Sequence, residues 1–304
     1  MGWPSRLLPG LALGAVALCA AACSEPVLYL GVGVDPTATP VTWQEHWFEH
    51  DQLLTLVQTD DAVALYYDKD VDPTQAAAVF PYISKIAHYT NATYGALGPG
   101  RLYFILHKDR YLGCHEADRH DPTHDYRNVI DCGVTTYDDP AVFQAFVPHF
   151  AAILVENTAD GRIGAPADPL WQQGKWAEFY RYDLYLGIGE KDVADKWYAL
   201  WTGDAWTDSF PAPGTHWFRD WSFPLWRDHG GAAVMSRFFA LLARDFPSSG
   251  GVYTAKLNWG EFVHFMSGAA GADLQPLATS AFGWPDAWQA ELVAARAAFP
   301  RITY

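Results

Sequence analysis

The run Arg101-Leu-Tyr-Phe-Ile-Leu-His107 is apolar without alternation and of strand length, which marks a buried strand. What surrounds it fixes the fold class. Pro73 to Tyr94 precedes it, with proline in the first turn after Asp72 and with Ala77, Phe80, Ile83, Ile86 and Ala87 at helical spacing. Earlier still, Leu53 to Asp68 (LLTLVQTDDAVALYYD) reads as two strands about a turn at Thr59-Asp60-Asp61. From Glu190 onward the pattern is nearly all helix. Apolar stripes run over Glu190–Trp201, Gly230–Asp245 and Asn258–Gly268, and Pro285 to Phe299 opens on proline and stops before Pro300. Gly271 is placed to end one of these helices and Asp273 to cap the next. Strands and a helix followed by helices make this an α+β chain.

With 304 residues, 50% of them hydrophobic and 18% charged, the chain can bury a sizeable core. Its formal charge of −15 becomes −16 (−15 − 1) if a leader whose only charge is Arg6 is removed. That balance repels nucleic acid and anionic lipid surfaces, and neither is expected as a partner. No GxSxG, Walker loop, dinucleotide fingerprint or CxxC occurs in the sequence, so those chemistries have no support.

The opening stretch, MGWPSRLLPGLALGAVALCAAAC, combines one basic residue, an apolar run and small residues before a cysteine. It reads as a secretory leader over residues 1–22. Ala20-Ala21-Ala22-Cys23 resembles a bacterial lipobox with Cys23 as the site of lipid attachment, the alternative being a plain cleaved signal peptide. A Pro/Thr-rich tether follows over 23–40. The expected location is exported, anchored by lipid to the cell envelope or secreted. Cys114 and Cys132 then remain, and in an oxidising compartment they most simply form one disulfide, which adds on the order of 3 kcal/mol.

Pro140 to Asn157 carries helical periodicity interrupted by Pro148, which either kinks a helix or opens one; we read it as opening one, with His149 in the first turn. Trp171 to Tyr185 is a second helix carrying Gln173, Lys175, Trp176, Glu178 and Asp183. The pair, His149-Phe-Ala-Ala-Ile153 followed after 19 residues by Gln173 in a WxxxxWAExxxYD segment, resembles the zincin metallopeptidases. The likeness is greatest to secreted bacterial members in which HExGHxxE precedes W-x-[D/E]-x-K-W-A-E. The segment from Asn258 to Pro285 is similar to their C-terminal helical part.

This resemblance implies a zincin-like chain. A small N-terminal mixed sheet with helices would occupy 41–157 and end in the former metal-site helix, and a mainly helical subdomain would occupy 158–304. It also implies that His149 stands at the first zinc-ligand position, Phe150 at the general base, Ile153 at the second histidine and Gln173 at the third ligand. Phenylalanine and isoleucine offer no lone pair, and a neutral amide is a poor ligand beside a carboxylate. The implied protein is a degenerate member with no catalytic residue and no metal or cofactor. Its groove would bind a peptide or cell-envelope polymer through His149, Gln173, Lys175, Trp176 and Glu178. Glu178 would be either a surviving acid in that groove or a carboxylate that once oriented a ligand.

Two rival readings remain. The segment between the cysteines is loaded with His115, Glu116, Asp118, His120, Asp121, His124 and Asp125. An active zinc enzyme could recruit His120 or His124 to join His149, although His115-Glu116 and His120 lack the spacing of a shared helix face. Alternatively the 14 tryptophans, six of them crowded between Trp197 and Trp226, could stack on sugars if exposed.

Overall fold

A computed structural model describes residues 37–95, 97, 100–138, 141–156 and 162–304. The expected leader over 1–22, Cys23 and the start of the tether lie outside the described residues, as does the side chain of Gln173. Residues Asp35–Tyr304 form one compact unit.

The chain begins with β1 (Thr42–Gln44), β2 (Leu53–Thr59) and β3 (Val63–Tyr67), the last two joined at the turn the sequence marks. Asp60 builds that turn, its carboxylate accepting from the backbone N–H groups of Ala62 and Val63 at 2.8 Å each. Helix α1 (Pro73–Tyr94) starts where expected, with Asp72 accepting from Thr74 and Gln75. It crosses over to β4 (Leu102–Lys108); β5 (Gly113–Ala117) and β6 (Asn128–Val134) complete a six-stranded sheet of order β1-β2-β3-β4-β6-β5. The centre, β3-β4-β6, is parallel, and both flanks are antiparallel, so the sheet is mixed. The parallel strands are buried on both faces, which is why RLYFILH shows no alternation.

Helix α2 (Ala141–Glu156) departs from expectation, because it runs straight through Pro148 and leaves His149 in mid-helix. Losing one backbone hydrogen bond to proline is outweighed here by burial: Phe146 and Val147 are fully buried, and Phe146 meets Phe104 of β4 edge-on at 5.1 Å. Helix α3 (Asp168–Gly187) is broken near its start by Gln172 (φ 49°, ψ 164°). There follow α4 (Lys191–Trp201), a π-helical turn at Phe218–Ser222, α5 (Phe223–Asp228), α6 (Ala233–Asp245) and a hairpin of β7 (Ser248–Ser249) and β8 (Val252–Tyr253). The last three helices are α7 (Trp259–Ala270), α8 (Gln275–Phe282) and α9 (Asp286–Ala298). Asn258 and Glu261 form a reciprocal capping box on α7, and Gly271 closes it in the left-handed conformation. Asp273 accepts from the Gln275 N–H at the start of α8.

One face of the sheet and all the long helices share a single core. The other face is covered by Trp43 of β1 and Trp47 of the β1–β2 connection, which pack on Leu54, Tyr66, Tyr103, Ile105 and Val129. Because side chains alternate along a strand, each strand presents residues to both faces. Among the described residues no helix is long and apolar enough to cross a membrane.

Candidate functional site

On the helical side of the sheet, β5 is the outermost strand, and α2 and α3 rise beside it to leave a cleft of about 480 Å³. Its walls are Cys114, His115 and Glu116 from β5, Pro148, His149 and Ala152 from α2, and Gly174 and Ala177 from α3. His149 Nδ1 lies 2.6 Å from Glu116 Oε2, and both side chains are about one-fifth exposed, at 22%. Gly174 has no atom within 4 Å of where a Cβ would stand.

Of the other residues expected in this groove, the described ones lie elsewhere. Trp176 is buried and donates from Nε1 to the Ala151 carbonyl at 3.0 Å, tying α3 to α2 from inside the core. Glu178 is buried in a network of its own. Lys175 Nζ reaches it at 3.1 Å and Asp208 at 2.5 Å, and Trp206 donates to it at 3.1 Å. Burial pushes the Glu178 carboxyl up in spite of Lys175, while Glu178 and Asp208 raise Lys175 against the opposing effect of burial. The small faces of α3, Gly174 and Ala177, meet the cleft instead.

Phe150 and Ile153, which the resemblance sets at the general base and the second histidine, offer a metal no seat. Phe150 is fully buried and stacks on Phe104, and Ile153 is buried in the same core. Each side chain fills the space between helix and sheet with hydrocarbon.

Across the sheet, five buried titratable side chains converge that sequence reasoning missed. His107 lies near the end of β4, Asp131 sits in mid-β6, Asp68 follows β3, and Glu45 and His50 come from the β1–β2 connection. That connection closes on itself through Glu45 N–H to the Gln52 carbonyl at 3.0 Å and His50 N–H to the Trp47 carbonyl at 2.9 Å. His107 Nε2 lies 2.9 Å from Glu45 Oε1 and 3.0 Å from Asp131 Oδ1, and its Nδ1 is 2.8 Å from Asp68 Oδ2. His50 Nδ1 is 2.9 Å from Asp131 Oδ2 and 3.5 Å from Glu45 Oε1. Burial opposes charge on both rings, but the carboxylates prevail and push His107 up to about 11 and His50 up to about 9. Asp131 and Glu45 are lowered by the same rings against the effect of burial.

The histidine-rich stretch divides between the two faces. His115 projects to the cluster's side, with Nε2 3.7 Å from Asp131 Oδ2 and 3.2 Å from His124 Nε2. His124 is buried and bonded through Nδ1 to Asp121 at 3.0 Å. Burial lowers the pKa of His115 and of His124. Among the described residues, two groups could share an ion: Glu45-His50-His107-Asp131 and the surface trio Asp60-Asp61-His88. Neither includes His149, His120 or His124, so the recruited-ligand enzyme lacks its geometry. Sugar stacking fares no better, since no described tryptophan is in the exposed class.

No protein-family model matches the chain, and no curated protein matches it in sequence.

Proposed function

We propose that this is an exported zincin-like protein that has lost the zinc chemistry of its helix pair and keeps the adjoining cleft as a binding groove. Its ligand is an extended peptide or a segment of cell-envelope polymer. The observation that carries this reading is the cleft itself, bounded on one side by an edge strand and on the other by His149 on α2. An edge strand offers unpaired backbone groups to an extended chain, the β-augmentation mode of peptide capture. Small residues on the helical walls leave room for side chains, and the His149–Glu116 pair supplies one polar anchor. Phe150 and Ile153 in the core support a binding role over a proteolytic one, because neither a metal nor a general base has a seat there.

The test is binding of the purified mature protein, residues 24–304, to an immobilised peptide library and to cell-wall fragments. A Gly174→Trp variant, whose side chain grows into open space, is expected to lose that binding while remaining folded. Cleavage of casein by the wild type would overturn the proposal, and so would undiminished binding by Gly174→Trp.

A further inference from the structure

We propose that Glu45, His50, His107 and Asp131 bind one divalent transition-metal ion, zinc by preference, on the face of the sheet opposite the cleft. One ligand atom from each lies within 4.8 Å of the others. The four side chains are 2%, 8%, 0% and 1% exposed, so their polar atoms have exchanged water for one another.

The orientation of these groups separates a metal site from a network of protons. Glu45 Oε1, His50 Nδ1, His107 Nε2 and Asp131 Oδ1 are buried, and none makes a hydrogen bond of acceptable geometry despite the short separations. Buried polar atoms without partners are rare and costly. The partner oxygens are, by contrast, supplied by the protein. Glu45 Oε2 accepts from the Gln52 N–H at 3.0 Å, and Asp131 Oδ2 accepts from Trp47 Nε1 at 3.1 Å. Each carboxylate thus spends one oxygen on the fold and leaves the other turned inward.

His107 makes the same point from its ring. Its Nδ1 lies 2.8 Å from Asp68 Oδ2, so Nε2 is the ring atom that faces two carboxylate oxygens. Two anions facing one ring nitrogen require positive charge between them, either the Nε2 proton or a metal ion that displaces it, and the lack of a well-formed hydrogen bond at Nε2 favours the metal. The carboxylate–histidine arrangement is the one that orients and strengthens an imidazole ligand. Metal–ligand bonds of roughly 2.0–2.1 Å in a tetrahedron put ligand atoms about 3.3 Å apart. The observed ligand separations of 2.9, 3.0 and 3.5 Å bracket that figure.

Two imidazoles and two carboxylates without thiolate suit zinc, ferrous iron or manganese, whereas calcium and magnesium take oxygen ligands. Because the four ligands come from the β1–β2 connection, β4 and β6, the ion would fasten that connection to the sheet. Four protein ligands and near-complete burial make this a closed, structural site. It is independent of the groove across the sheet.

The protein is purified, stripped with a chelator and titrated with Co²⁺ and then Zn²⁺. One equivalent is expected to bind, with visible absorption from tetrahedral Co²⁺ that Zn²⁺ displaces. His50→Ala and Asp131→Asn should each weaken the affinity on the order of 100-fold or more, and His149→Ala, in the cleft, should leave it unchanged. A stripped, folded wild-type protein that takes up no ion overturns the proposal, as does His50→Ala binding with wild-type affinity. If Asp131→Asn fails to fold, the wild-type titration and His50→Ala decide the matter between them. Loss of metal in the His50 variant with peptide or polymer binding intact would separate this site from the groove.

Discussion

Phe150 of α2 lies on Phe104 of β4 with ring centroids 6.2 Å apart and planes 26° apart, while its neighbour His149 turns to Glu116 on the edge strand. Adjacent residues on one helix therefore serve the core and the cleft. Phe150→Ala is expected to cost about 3–5 kcal/mol of stability, and Phe150→Glu more, because the new carboxylate would be buried without a partner. Urea denaturation followed by tryptophan fluorescence measures both. A Phe150→Glu, Ile153→His double variant should consequently unfold before it gains zinc-dependent proteolysis, as assayed on casein.

The Cys114–Cys132 disulfide joins directly opposed residues of β5 and β6, 18 positions apart in sequence. Reduction, or the Cys114→Ser, Cys132→Ser pair, should lower stability by about 3 kcal/mol. Thermal melts with and without reductant check this, and a protein indifferent to reductant would contradict the pairing.

Three glycines give opposite expectations. Gly174 is inside α3 with open space above it, so Gly174→Ala should stabilise by about 0.5–1 kcal/mol through helix propensity. Gly260 sits where α7 crosses α9, and a Cβ there would run into the backbone at Glu291 and Leu292. Gly187 likewise faces the Tyr89 ring. Alanine at 260 or 187 should destabilise by about 1–3 kcal/mol or more, read from denaturation midpoints.

Burial raises the Glu178 carboxyl above its ordinary 4.5, so the folded state binds that proton more tightly than the unfolded chain does. Its effect on stability is therefore most favourable below that value and declines as pH rises through the raised one. Lys175 keeps Asp208 as a partner at 2.5 Å when Glu178 is neutral. The difference in stability between wild type and Glu178→Gln should move toward the variant as pH is raised from about 4 to about 7. Parallel denaturation series at those pH values measure it, and a constant difference would count against the assignment.

Much of the scaffold was legible because local signals agreed with one another. Pro73 after Asp72, the unalternating β4 run, the Asp60 turn, Asn258 with Glu261 and Gly271 all specify their elements through contacts within a few residues. Pro148 misled because the burial of Phe146 and Val147 against the sheet is not visible locally. The motif alone points Trp176 and Glu178 into the groove, and only the rotation of α3 turns them away and brings Gly174 and Ala177 round. The histidine–carboxylate cluster draws Glu45 and His50 from one segment and Asp68, His107 and Asp131 from three others, so no single spacing connects them. The available signal was a polar residue alone in an apolar strand: His107 closing RLYFILH and Asp131 inside NVIDC.

The cystine at the sheet's edge has one further consequence. His115 and Glu116 are consecutive on β5 and look to opposite faces, one toward the carboxylate cluster and the other toward His149. Slippage of that strand by a single residue would exchange them, sending an acid to the wrong compartment and an imidazole to the other. Sulfur linking Cys114 to Cys132 acts as a register lock, so its reduction would be felt in both compartments together.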